Sequence, residues 1–276
     1  MLASRDGDAR YGACEALGAL GRRADAAAPQ LRSALKDADP WVQCLAAEAI
    51  PALGAEVRKA CVSDLLALTV RTNPADPRRH AALFASLALF AHYPGTRAPQ
   101  SLLEASLEGV DRAQLYPALQ SLLNHEDSIA RGTAAKSFSK LTDQDLVALL
   151  PDIVRAIQPL APSNEMFADG VRLAGLDLLS RLRIREGMAL CVSVIEPERW
   201  GEKNRSKACL AYLQRYGAHA KPLLPKLQKV RAHLANVKKV SADHLKEFDQ
   251  GVAAIANGTA MPTLVDLADF KARPAR

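Results

Sequence analysis

The chain has 276 residues, of which 49% are hydrophobic but only 5% aromatic, and its formal net charge is +6. Apolar content weighted towards Ala and Leu favours close helix–helix packing over a β-sandwich, where Val, Ile and aromatic residues dominate. No run approaches the roughly 20 apolar residues that cross a bilayer, and the start lacks the basic, apolar and cleavage regions of a signal peptide, so the reading is a soluble chain.

The first patterned stretch, DGDARYGACEALGALG, runs from Asp6 to Gly21, and a second, DPWVQCLAAEAIPALG, runs from Asp39 to Gly54. At an offset of 33, Asp6 falls on Asp39, Ala13 on Ala46, Glu15 on Glu48, Leu20 on Leu53 and Gly21 on Gly54. Positions 13, 16, 17 and 20, and again 46, 49, 50 and 53, follow the i, i+3, i+4, i+7 spacing of one buried helical face. Aspartate ahead of each helix predicts an N-cap, and glycine after it a left-handed C-cap. Between the copies, Leu31 and Leu35 mark a second, shorter helix within Ala26–Asp37. One unit is therefore two antiparallel helices, which bury their apolar faces only by stacking on neighbours.

Weaker copies of the first helix follow at 76–91, 127–141, 168–182 and 204–217. Second helices are predicted at 57–72, 114–124, 143–156, 187–195 and 222–240, and a final helix at 242–256. The expected architecture is all-α: a single α-solenoid over residues 1–259, a right-handed superhelix of about six helix pairs, with its strongest repeats in 1–72 and a loosely ordered tail at 260–276. The opening repeat has no polar capping unit before it, so an upstream module covering Leu17 and Leu20 is expected, and with it membership of a larger protein.

The repeat resembles the HEAT-repeat family and its bacterial pattern D-x-D-x-x-V-R-x-x-A-x-x-A-L-x-x-L-G, carried here by Asp39, Val42, Ala46, Ala49, Ile50, Leu53 and Gly54. Gln43 stands where that pattern has Arg, which Arg10 supplies in the first copy. The later half, with MFADGVRLAGLDLLSRLRIREGMALC, also resembles the C-terminal helical region of large uncharacterised planctomycete-type bacterial proteins. The HEAT resemblance implies a ladder of hydrogen bonds between units from Asp8 and Arg10, Asp127 and Arg131, and Asp169 and Arg172. It further implies an interaction scaffold whose concave face, lined by second helices, holds a protein or peptide.

Signatures of catalysis are missing. The sequence has no GxxxxGK[ST], HExxH, GxSxG or dinucleotide fingerprint. The histidines (His80, His92, His125, His219, His233, His244) lack the i, i+4 spacing of a helical metal site. Asp243 and His244, being adjacent on a helix, point about 100° apart and form no dyad. Each histidine is read as a surface or packing residue. No catalytic residue, metal or cofactor is expected. The HEAT-like DNA glycosylases need aromatic residues and a carboxylate grouped in a basic cleft, and the HEAT-like phycobilin lyases a tetrapyrrole pocket; neither group can be matched residue by residue.

The five cysteines (Cys14, Cys44, Cys61, Cys191, Cys209) contain no CxxC pair and are expected to be buried free thiols, which suits a reducing compartment such as the cytoplasm. The planctomycete-type resemblance implies export instead. Trp41, just after Asp39–Pro40, and Trp200, in ERWGEKN, are expected to plug gaps between adjacent units; the alternative is a role as partner anchors. Charge is asymmetric: −3 over residues 1–198 and +9 over 199–276. Leu223, Leu227, Val230, Leu234 and Val237 share one helical face, and the basic set Lys221, Lys226, Lys229, Arg231, Lys238 and Lys239 surrounds them. That set is expected to be a solvated face; the alternative is a contact with an acidic partner or nucleic acid.

Overall fold

The computed structural model describes residues 1–70, 79–91, 101–158 and 167–271. Among them every named element is helical, and the one β-like pairing is a parallel bridge between Ile184 and Val265. The chain divides into two compact units, Met1–Leu141 and Thr142–Arg276.

The first unit holds α1 (Gly7–Leu20), α2 (Ala28–Ala34), α3 (Pro40–Ala49), α4 (Ala55–Thr69), α5 (Arg79–Phe90), α6 (Arg112–Leu123) and α7 (Ser128–Ala135). Helices α1, α3, α5 and α7 pack in succession, as do α2, α4 and α6, so the unit is a two-layer stack of helix pairs. The second holds α8 (Asp143–Ile157), α9 (Asp169–Leu182), α10 (Glu186–Val194), α11 (Glu202–Gln214), α12 (Leu224–Asn236) and α13 (Ala242–Asn257). There α9, α11 and α13 form the continuous layer, α10 packs against α9 and α11, and α12 against α13. Each unit by itself is built of stacked helices in two layers, an α-solenoid arrangement. The expected helix at 76–91 begins outside the described residues, and the one at 57–72 ends outside them.

The caps explain where the first helices start. Asp6, Asp39, Asp111 and Asp127 each accept a hydrogen bond from the backbone N–H two residues on, satisfying a donor the helix leaves free. Gly21 is the C-cap of α1 at φ +56°, but the end of the second copy differs from expectation. Helix α3 stops at Ala49 because Pro51 cannot continue it, and Gly54 is the N-cap of α4 with ordinary φ −62°, not a left-handed C-cap. Gly54 is required by space: its N–H meets the Asp25 carboxylate at 2.8 Å, and a Cβ would collide with that carboxylate.

Ala46, Ala49, Ile50 and Leu53 are all buried as expected. In the first copy Ala13 is buried and Leu17 half-buried, but Ala16 and Leu20 are exposed, because α1 has a first-layer neighbour, α3, on one side only. The segment 260–271, expected as a loose tail, is instead fastened to the second unit. Ala218 N–H donates to Ala260 C=O at 2.8 Å, Val265 N–H to Arg183 C=O at 3.0 Å and Arg185 N–H to Val265 C=O at 2.9 Å. The backbone of an apparent linker takes up donors and acceptors that two helix ends leave free.

Candidate interaction surface

Along α4, Arg58, Lys59, Val62, Ser63 and Leu66 recur at helical spacing and form one wall of a groove of about 580 Å³. The opposite wall is the segment 101–111 with Gln114 of α6. That wall is fixed by its backbone: Leu102 and Leu103 N–H donate to the last carbonyls of α5 at 2.9 and 2.7 Å, and Leu103 and Leu107 are buried. Arg112 fastens its far end by donating to the Leu107 and Val110 carbonyls at 2.8 and 2.9 Å. Ser121 of α6 donates to Thr69 C=O at 2.8 Å and ties the two helices together. The groove is thus preformed by hydrogen bonds on both sides. Val62, Leu66 and Leu102 give it an apolar floor, Arg58 and Lys59 a positive wall, and Glu108 and Asp111 a negative one.

Arg58 is unlike the repeat's other arginines. Near the start of α1, α3, α7 and α11 one side chain reaches back to carbonyls five or six residues earlier. Arg10 donates to Ser4 and Arg5, Gln43 to Asp37, Arg131 to His125 and Glu126, and Arg205 to Arg199 and Trp200. Gln43, the departure from the family pattern, thus does the arginine's work with a neutral amide. Pairs between more distant side chains of the same unit extend the ladder: Arg10–Asp37 at 3.0 Å, Arg172–Glu196 at 3.4 Å and Asp169–Arg205 at 2.9 Å. Asp8, expected in that ladder, is exposed; Asp37 and Asp39 meet Arg10 instead. The Nε of Arg58 is sealed from water without a hydrogen-bond partner, as is that of Arg205. The terminal nitrogens of Arg205 are bonded, whereas among the described residues Arg58 joins no ion pair and donates no hydrogen bond.

The two tryptophans part company. Trp41 lies in the first turn of α3, not in a loop, and meets Phe84 of α5 edge-on with ring centroids 6.1 Å apart. Trp200 plugs nothing: it is 82% exposed, on a turn that Arg205 clamps through the Glu196, Arg199 and Trp200 carbonyls. Gly201 closes that turn at φ +83°, a conformation that favours glycine.

The basic set is spread over the 3-10 turn before α12 (Lys221), α12 itself (Lys226, Lys229, Arg231) and the turn after it (Lys238, Lys239). The five lysines are exposed or half-buried, but Arg231 is bound fork-on to Asp249 of α13 at 2.7 and 2.9 Å. That carboxylate removes one charge from the face.

A buried polar cluster escaped the sequence reading. Glu202 of α11 accepts from His244 Nε2 through both carboxylate oxygens, at 3.1 and 2.9 Å, and from the Ser206 hydroxyl. All three are buried, beside a cavity of about 300 Å³. Serine, histidine and acid occur together, yet not in the order of a Ser–His–acid triad. The carboxylate sits in the middle, so the imidazole does not touch the serine oxygen. Glu202 and Ser206 are four apart on one helix, but nothing local pairs them with a histidine 42 residues on.

All five cysteines are buried free thiols. Burial pushes Cys14 up to about 11 and Cys44 up to about 12; Cys191 is raised by its contact with Cys209 and by burial. These are packed thiols rather than thiolate nucleophiles. Among the described residues no three His, Cys, Asp or Glu side chains gather as a metal site; His92 lies outside those residues.

Residues 1–86 match the family model described as HEAT repeats. The match covers the two copies in α1 and α3 where the 33-residue offset was read, and runs on into α5. The crystal structure of an engineered protein from the Northeast Structural Genomics Consortium is similar to this chain with a TM-score of 0.50 and 17% identity, over 86% of this chain and 99% of that one. At that identity the likeness speaks for the fold alone. No curated protein matches the chain.

Proposed function

We propose that this chain is a non-enzymatic interaction scaffold that holds a protein or peptide on the face made by its second helices. The groove along α4 carries this reading. It is open, preformed, apolar at its floor and polar at both walls, which is the character of a recognition site. The neighbouring second helix continues the face: Arg32 of α2 and Lys36 in the turn after it both reach Asp64 of α4, at 2.5 and 3.2 Å, and brace it across the repeat. The known ways of reading a peptide in such a groove use a few side-chain anchors on an extended or helical backbone.

Panning the full chain against a displayed library of random peptides tests the reading. Enriched peptides should bind the wild-type chain and lose binding to Ser63→Trp, which places a large ring in the groove from an exposed position. A library that yields no binder would count against a scaffold role.

A further inference from the structure

The groove also specifies the chemistry of its occupant. Arg58 is half-buried on its wall, has no acceptor among the described residues, and keeps its Nε out of water. Leaving that one N–H so is costly, because a buried donor without a partner forfeits its hydration without a replacement bond. Lys59, adjacent and exposed, joins no ion pair among the described residues and adds a second positive charge at the same end. One turn further along α4, half-buried Val62 offers apolar contact, with half-buried Leu102 across the groove. Across the groove, Glu108 and Asp111 face these side chains with negative charge.

We propose, building on the scaffold reading, that the groove takes an amphipathic peptide segment that sets an Asp or Glu carboxylate on Arg58 and Lys59 and lays apolar side chains between Val62 and Leu102. A carboxylate matches the planar fork of arginine. From Ala55 to Leu66 the helix wall runs about 16 Å, enough for about five residues of an extended segment. The carboxylates on the opposite wall repel a continuous acidic tract, and they repel a nucleic-acid backbone for the same reason. The site therefore selects an isolated acidic residue followed by apolar ones.

The same displayed library, of about 12-residue peptides, tests this separately from the scaffold reading. Enriched sequences should carry one Asp or Glu within a few residues of a Leu, Ile, Val or aromatic side chain. Synthetic versions should lose affinity by about tenfold or more on Arg58→Ser and on Lys59→Glu, as expected when a charge-assisted bond is removed. Lys59→Glu is an exposed change, so it keeps the test valid if Arg58→Ser unfolds the chain, which thermal melting would reveal. Replacing the peptide acid by its amide should produce a loss of the same size. Peptides that bind both variants as tightly as wild type would overturn the assignment while leaving a scaffold role elsewhere intact. A duplex oligonucleotide that displaces the peptide and depends on Arg58 would also overturn it. The absence of any binder would remove both readings.

Discussion

Arg205 and Asp169 join the first turns of α11 and α9 at 2.9 Å, with the arginine 2% exposed. The same guanidinium holds the Glu196, Arg199 and Trp200 carbonyls, so one side chain fixes both the turn and its neighbour. Arg205→Ala should cost about 2–4 kcal/mol, since it strands acceptors around a buried site. Arg205→Lys should recover only part, because an ammonium cannot serve that fork of acceptors. Exposed Lys207→Ala, on the same helix, is the control. A urea midpoint unmoved by Arg205→Ala would show that the clamp carries no stability.

Ala49 is buried where α1 crosses α3, and a Cβ added to Gly18 would lie 3.3 Å from the Cα and Cβ of Ala49. Ala49→Phe should cost about 1–3 kcal/mol through overpacking, whereas exposed Glu48→Ala should change little. Denaturation curves that rank the two the other way would put the helical phase in error.

Tyr11 donates its hydroxyl hydrogen to Asp39, and this bond holds the Asp39 carboxyl below its ordinary value of 3.8 while raising Tyr11 above 10.0. A carboxyl depressed in the folded state stabilises the fold fully above its unfolded pKa, and that contribution disappears as pH falls through the folded one. Tyr11→Phe should therefore lower the melting temperature at pH 7 and flatten its fall below pH 3.8. Parallel melting-versus-pH curves for the two proteins, offset but identical in shape, would exclude the linkage.

Arg231 is held by Asp249, and if the remaining lysines around α12 are a solvated face, duplex DNA should bind weakly at low salt and not at physiological ionic strength. Five phosphate-binding lysines would instead give a log–log salt slope of about −4.5, at about −0.9 for each phosphate neutralised. Fluorescence anisotropy with a labelled duplex distinguishes these. Submicromolar binding at physiological salt, lost in Lys238→Glu with Lys239→Glu, would promote a nucleic-acid role.

The sequence by itself determined the helices and their pairing. A 33-residue offset, a 3.6-residue period and aspartate caps are local signals, each set by residues within one or two turns, and they located α1 to α13 closely. Packed thiols were legible for the same reason, since Cys14 and Cys44 sit beside apolar residues on the periodic face. What touches what between repeats was decided only by the tertiary structure. Gly54 reads as a helix end, yet its role is the room it leaves for Asp25. Trp41 and Trp200 read alike, but one has an aromatic neighbour on the next first helix and the other stands on a clamped turn in solvent. The segment 260–271 carries no periodicity because its order comes from backbone bonds to distant helix ends. Arg58 looks like any helix arginine in sequence. Only packing withholds the acceptors that Arg10, Arg131 and Arg205 find, because their partners are turn carbonyls five or six residues back and Arg58 faces a groove.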